Sequence, residues 1–481
     1  LRQSIIKKGH HTAGISLDQE TNKQSFEPNT PLLPNSFSFK TLRAFAEGNL
    51  ANNKSSYRAE YAIRQDEKIN GDHFEKHYHS NEYALEHQWR INEYTQWNFR
   101  AAGRKLSYDQ VINPIQEKNS TNLLVRQAFV TRTKNNAFRF NQTIETGRGQ
   151  EPSIEYTYIK VNKGQGYYTW IDINKDSTIQ VTEFELAPFS DQGEYIRYAI
   201  SGNDFISTKN YLYLQNFEFD GIRLLQPQLQ KKWFHKLTFA SSWNFNWKLA
   251  DETAFVLPID PNPDQLISLQ GIMRNQLYLN KGAQKLELQA GQLLSTNKWR
   301  LTTGYEIRSN KEYFLRSRQR INQSLSFESY LASTAQSNHA AFFKEKNFTL
   351  QSWIIEPKLH FQYKNTLRLS GSYRYKTGHE QLAKSITMAH ETKLEITSQP
   401  WPTWSLRSSI SSIWASLSGP SNPWTEYSIL QGLRPGKNIL LQLNIDKEIN
   451  ANTTLRLGYD GRQSEGGRYI QTGRAQVLAS F

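Results

Sequence analysis

The chain of 481 residues contains no cysteine. Neither a disulfide framework nor a thiolate metal site is available to it. Long apolar runs are missing as well: no stretch approaches the roughly 20 residues a membrane helix needs, and the mean hydropathy is -0.70. Helical spanning is excluded. There is no Gly-x-Ser-x-Gly elbow and no phosphate-cradling loop, so the sequence offers no motif-borne hydrolase or nucleotide chemistry. No repeat of about 20 to 50 residues is visible, which disfavours a propeller or a solenoid. What the chain has instead is 12 Trp, 24 Tyr and 25 Phe, 13% of its residues, together with long runs of period-two alternation.

The clearest run lies between Trp353 and Lys376. Trp353, Ile355, Leu359, Phe361 and Tyr363 fall on one face of a strand, and Glu356, Lys358, His360 and Gln362 on the other. After a turn of Lys364, Asn365 and Thr366 the pattern resumes, with Leu367, Leu369, Gly371, Tyr373 and Tyr375 opposite Arg368, Ser370, Ser372, Arg374 and Lys376. Strands of about ten residues, apolar on one face, polar on the other and ringed by aromatics, are the requirement of a transmembrane β-barrel, because closure satisfies every backbone group in lipid. Low mean hydropathy is no objection, since half of each strand faces a wet lumen. A soluble array of β-sandwiches also alternates, but its strands are usually about five or six residues long, and many here run well past that. The expected fold is all-β: a transmembrane antiparallel barrel of roughly 14–20 strands, eighteen to twenty on the fuller count, with long extracellular loops.

The chain opens Leu1-Arg2-Gln3, without an initiator Met or an apolar signal core. An exported barrel carries a cleaved signal, so this reads as a processed or truncated chain. The formal net charge is +14, with 58 Lys and Arg. These are dispersed over alternate strand positions and form no cluster, which argues against nucleic acid and for a basic, anion-favouring lumen lining.

The last residues alternate too. Tyr469, Gln471, Gly473, Ala475, Val477, Ala479 and Phe481 face one way and Ile470, Thr472, Arg474, Gln476, Leu478 and Ser480 the other, a terminal-strand signal ending on an aromatic. With Phe481 at the periplasmic rim, tight turns are expected at Asn450–Asn452, Gln399–Pro402, Asn365 and Ser309–Lys311. Longer external connections are expected at Gln463–Gly467, Leu417–Gly436, Thr377–Ile386 and Ser326–Gln351. The domain reading that results has N-terminal barrel strands over 1–146, an extracellular insertion over 147–206 and C-terminal barrel strands over 207–481.

Inside the insertion, Asp172, Asn174, Asp176, Thr178 and Glu183 occupy positions one, three, five, seven and twelve of a calcium-binding loop, with Gln180 at nine. Ser177 stands where such loops carry glycine. A structural calcium ion clamping an external loop is the expectation; flanking amphipathic helices, which a signalling EF-hand requires, are missing. His10, His11, His73, His77 and His79 invite a second metal reading, centred on His77 and His79 of one strand face with His73 nearby, but no carboxylate spacing completes a set.

The run Gly164-x-Gly166-x-Tyr168-x-Trp170-x-Asp172-x-Asn174-x-Asp176, followed by Glu183 to Phe189 and Asp191 to Arg197, resembles a segment of large Bacteroidota outer-membrane β-barrel and surface proteins. Leu430 to Asn438, Tyr459-x-Gly461-Arg462, Thr472-Gly473 and Phe481 resemble the same family's ending. The resemblance implies the outer membrane of a Gram-negative cell and no established activity. Family members are typically longer, which is consistent with a missing upstream part. Two functions follow as expectations. The first is a non-enzymatic structural or interaction subunit of a larger outer-membrane complex for protein secretion, barrel assembly or surface export. Its partners would be the bilayer, lipopolysaccharide and outer-membrane proteins or lipoproteins. The alternative is a passive or gated pore for anionic solutes. A TonB-gated transporter is less expected because no compact plug precedes the strands in this chain, although truncation would also remove one.

Overall fold

A computed structural model describes residues 2–27, 30–50, 54–109, 119–224, 233–250, 266–283, 285–301, 304–341 and 343–479. It contains a 23-stranded antiparallel sheet. Two of the strands, β9 (Tyr168–Trp170) and β10 (Phe184–Leu186), have three residues each; the other 21 form the wall. No helix is long and apolar enough to cross a membrane.

The chain forms two compact units. The first is built from residues 1–154, 201–226 and 241–271. Its strands include β1 (Arg2–Lys8), β2 (His11–Asn22), β3 (Phe37–Leu50), β4 (Ser55–Asn70), β5 (His73–Asn92), β6 (Thr95–Tyr108) and β7 (Ser120–Arg132). Tyr61, Tyr83 and Gly103 stand opposite one another across β4, β5 and β6, as do Ala59, Leu85 and Ala101, and this face leaves Tyr61, Tyr83 and Leu85 exposed. The alternate face carries Arg43 with Glu60 (2.7 Å), Arg58 with Glu47 (2.9 Å) and Arg100 with Glu86 (3.3 Å). Period-two alternation in sequence has become one apolar face and one polar face.

The second unit comprises residues 155–200, 227–240 and 272–481. It holds β14 (Leu286–Leu301), β15 (Gly304–Arg320), β16 (Leu325–Ala340), β17 (Phe348–Tyr363), β18 (Leu367–Glu380), β19 (Ile386–Ser398), β20 (Trp404–Ser418), β21 (Gly436–Asn450), β22 (Thr453–Ser464) and β23 (Ile470–Ala479). Trp353, Ile355, Leu359, Phe361 and Tyr363 of β17 are all exposed, from 41% to 58%. Leu369 and Tyr373 of β18, Leu394 and Ile396 of β19, and Ile410 and Trp414 of β20 are exposed likewise. A soluble monomer rarely exposes a contiguous apolar patch above a few hundred Å², and this face continues across strand after strand. It is a lipid-facing surface. On the other face the wall's charges pair across strands: Arg374 with Glu356 (2.8 Å), Lys358 with Glu395 (2.5 Å), and Arg474 with Asp460 (2.8 Å). These three cations of the polar face are compensated by carboxylates on neighbouring strands.

Links of two to five residues join β15 to β16, β17 to β18, β19 to β20 and β21 to β22 at one end, and the two longest connections, β16 to β17 and β20 to β21, lie at the other. Three sequence expectations are corrected. Ser309–Lys311 is no turn but the middle of β15, where Asn310 pairs with Ser295 and Gln336; the β14–β15 ladder ends instead at Leu301 opposite Gly304, whose φ is +110°. The stretch from Ser326, expected as a loop, is β16, its small Ser, Ala and Thr side chains giving no apolar period. The segment before Ser36, left out of the strand count, contributes β1 and β2. Phe481 lies outside the described residues.

Candidate functional site: an insertion clamped to the polar face

Strands β8 (Phe138–Lys160) and β11 (Tyr195–Asp220) run on past the expected boundaries, so the insertion proper is 161–194. It folds within the second unit. β9 pairs with β10, Trp170 opposite Phe184 and Tyr168 opposite Leu186. Phe184 stacks on Tyr158 at 4.0 Å and meets Tyr195 edge-on at 4.8 Å. The glycines of the motif acquire a reason here: the amides of Gly164 and Gly166 both donate to the Gly193 carbonyl, at 2.9 and 3.1 Å. A Cβ on Gly193 would sit 2.0 Å from the Gly166 carbonyl oxygen, and one on Gly166 would sit 2.4 Å from the Tyr195 nitrogen. Two backbones cross where no side chain fits.

The predicted calcium residues divide. Asp172, Asn174, Asp176 and Thr178 form one tight turn: the Thr178 amide donates to Asp176 (2.6 Å), the Ser177 amide to Asp172 (3.0 Å), and the Asp176 amide to Asn174 (3.1 Å). Ser177 adopts φ +57°, the left-handed conformation that glycine supplies in calcium loops. Glu183 is fully buried, and its carboxylate accepts from the Trp170 indole (2.8 Å), the Ile173 amide (3.2 Å) and the Gln180 amide (3.3 Å). An ion would have to compete with these three donors for its oxygens. Of the three histidines, His79 bonds Asp109 at 2.8 Å, His73 bonds Asp72 at 3.0 Å, and His77 packs against Tyr78 and Tyr108. Among the described residues no group of three or more His, Asp or Glu is placed to hold a metal.

The sequence reading missed the residues that attach the insertion to the wall. Glu185, at the centre of β10, receives hydrogen bonds from Arg308 of β15 (2.7 Å) and from Lys346 (3.1 Å), which lies in the β16–β17 connection. Arg308 also bonds Glu306 at 2.7 Å. The Lys346 and Glu185 side chains are only 3% and 6% exposed. Burial pushes the Glu185 carboxyl up, but Arg308 and Lys346 more than offset it and hold its pKa below the usual carboxylate value. The motif Glu183-Phe184-Glu185 was visible in sequence; its partners, more than a hundred residues away, were not.

The β20–β21 connection completes the clamp. Asn422 caps a short helix, α1 (Pro423–Ile429), by accepting from the Thr425 amide, and proline at the first position suits that start. The cap's side-chain amide donates to the Glu345 carbonyl at 2.7 Å. Trp424 and Ile429 of α1 pack with Phe348 and Leu350 of β17 and with Ile173 of the insertion in one buried cluster. Tyr427 donates to Gln192 at 2.6 Å, and Arg462 of β22 pairs with Asp191 at 2.5 Å over the Phe189 ring. Burial raises the Tyr427 hydroxyl's pKa, keeping it a neutral donor.

Long antiparallel strands with a continuous exposed apolar face and a polar, ion-paired one define the class: a transmembrane β-barrel of the outer-membrane kind. No protein-family model matches the chain, and no curated protein does. Solved structures do resemble it distantly. The siderophore receptor PirA from Pseudomonas aeruginosa matches with a TM-score of 0.39 at 9% identity, over 98% of this chain and 73% of that one. The ferric-catecholate import receptor Fiu from E. coli K12 gives 0.34 at 8%, over 98% and 77%. The ferripyoverdine receptor of the Pseudomonas aeruginosa outer membrane gives 0.39 at 9%, over 92% and 63%. At that level nothing follows about ligands or partners of this chain.

Proposed function

We propose that the chain is a gated passage for a polar solute, with the insertion 161–194 as the gate held on the polar face of the wall. The observation that supports this most is the buried Glu185–Arg308–Lys346 clamp. Charged side chains are buried at a cost that only close pairing offsets, and this one joins a loop to the wall instead of bracing the wall itself. A gate, which must be held and released, explains such a joint. Planar-bilayer conductance tests the reading: the full chain carries little steady current, whereas a variant with residues 165–192 replaced by a short Gly-Ser link conducts steadily. Equal conductance of the two would overturn it.

The subunit reading, with the Bacteroidota source and the lipoprotein partners that the motifs imply, predicts stoichiometric co-purification from native membranes. It does not by itself require a releasable clamp. Calcium at Asp172, Asn174, Asp176, Thr178 and Glu183 belongs to either reading only if Glu183 leaves Trp170.

A further inference from the structure

A cavity of about 590 Å³ opens in the second unit where the insertion meets two connections of the wall. Lys175 and Gln192 line it from the insertion, Glu426 and Arg434 from the β20–β21 connection, and Arg462 and Arg468 from the end of β22 and the link that follows. Behind it the two sides are in contact. Tyr427 donates to Gln192 at 2.6 Å, and Gly432, at φ +76°, packs so closely that a Cβ there would lie 3.0 Å from the Pro188 ring. An occupant of this cavity therefore touches insertion and wall at once, and the volume lies within the range of small-ligand sites.

Its charge is one-sided. Four of the lining residues are cations, and Glu426 is the one carboxylate. Arg462 is already paired with Asp191. Lys175, Arg434 and Arg468 are exposed and form no ion pair among the described residues. The carboxylates next to Lys175 and Arg468 in sequence are turned to backbone amides, Asp176 to that of Thr178 at 2.6 Å and Glu465 to that of Lys437 at 2.8 Å. With Glu426 set against one of the three free cations, two positive charges remain in excess at a concave surface. A cleft lined by one sign of charge focuses the potential and concentrates the opposite ion. Guanidinium forks match the paired oxygens of a carboxylate or phosphate, and a Lys ammonium adds a further charged contact.

The side of the wall decides the source of the anion. Asp460, Arg462 and Ser464 alternate onto one face of β22, the polar face on which Asp460 pairs with Arg474. A lipid headgroup lies on the other side, so the ligand is a dissolved anion. We propose that the cavity binds a soluble multivalent oxyanion of the carboxylate or phosphate class, and that this anion holds the insertion on the wall by bridging Lys175 to Arg434 and Arg468. Without it, like charges adjoin across the seam and favour release. The consequence for conduction rests on the gated-passage reading and supplies the gate with a regulator.

The test is isothermal titration of the full chain, in Tris buffer and a detergent with an uncharged headgroup, with citrate and with pyrophosphate. At least one is expected to bind saturably at millimolar concentration or tighter in about 50 mM salt, and more weakly in about 500 mM. Arg434→Gln and Arg468→Gln, both at exposed positions, are each expected to weaken binding about tenfold, the lower end for a hydrogen bond to a charged group. Lys384→Gln makes the same change in net charge at an exposed position outside the cavity and is expected to leave binding unchanged. At an anion concentration about 100 times the Kd, amides of 164–193 that exchange through release of the insertion are expected to exchange about 100-fold more slowly. No saturable binding by either anion, equal weakening by Lys384→Gln, or exchange that bound anion leaves unchanged would each overturn the inference. Conductance of the insertion-replaced variant separates the two failures: if it conducts as the parent does while the anion binds and slows exchange, the anion bridge stands and the gate falls.

Discussion

Replacing Glu185 by alanine leaves Lys346, whose side chain is 3% exposed, with only Glu306 at 3.9 Å, and takes one of two carboxylates from Arg308. Deleting one partner of a buried pair costs about 3–5 kcal/mol, against about 0–1 kcal/mol for an exposed pair. Arg308 is 37% exposed, so water recovers part of the loss and the lower end, about 3 kcal/mol, applies. The whole cost falls on the attached state, because both cations are solvated once the insertion has left. The equilibrium for release then shifts by roughly 100-fold, about 1.4 kcal/mol corresponding to each factor of ten. Hydrogen exchange of the amides in 164–193 reads this directly, and open-channel probability reads it functionally. The companion variant is Glu185→Leu with Lys346→Met, which removes one charge of each sign and leaves Arg308 paired to Glu306. Apolar replacement of a buried pair is often neutral or stabilising, so the double variant exchanges and conducts like the parent although each single change loosens the clamp. Unchanged exchange in Glu185→Ala, or a double variant looser than either single one, would refute the reasoning.

Trp424→Ala is expected to cost about 3–5 kcal/mol of local stability by opening a cavity in the cluster it shares with Phe348, Leu350 and Ile173. Protease sensitivity should appear within the insertion and α1 while the wall resists. Gly193→Ala places a methyl against the Gly166 carbonyl and should release the insertion without touching the clamp, giving the conductance of the insertion-replaced variant. Because the Glu185 pKa is depressed in the folded state, its contribution is present above the unfolded value of about 4.3 and is lost as pH falls through the lower folded value. Open probability should therefore stay flat from about pH 8 to pH 5 and rise only below about pH 4; opening that tracks pH 6 to 7 would point to histidine instead. The turn at 172–178 is closed by its own hydrogen bonds, so a calcium chelator should leave amide protection there unchanged, and a loss of protection would show a structural ion.

Much of the wall was legible in the sequence because strand alternation is local physics. Trp353 and Ile355 had to face away from Glu356 and Lys358 whatever the rest of the chain did. Ser309–Lys311 misled because Ser, Asn and Lys suit a turn, yet flanking strands hold them extended through Asn310's pairing with Ser295 and Gln336. The insertion was legible as a break in rhythm, and its glycines as a motif without a reason. That reason, two backbones crossing at Gly166 and Gly193, is a contact between residues 27 apart.

The sequence by itself determined which faces of the strands meet lipid and water, since a period of two leaves no other solution. Tertiary structure decided what happens on the polar face. Lys346 and Glu185 lie 161 positions apart and Arg308 and Glu185 lie 123 apart, and only strand register and the returning insertion bring them together. The same holds for Ser295, Asn310 and Gln336, three ordinary polar residues until the antiparallel register of β14, β15 and β16 sets them in one row.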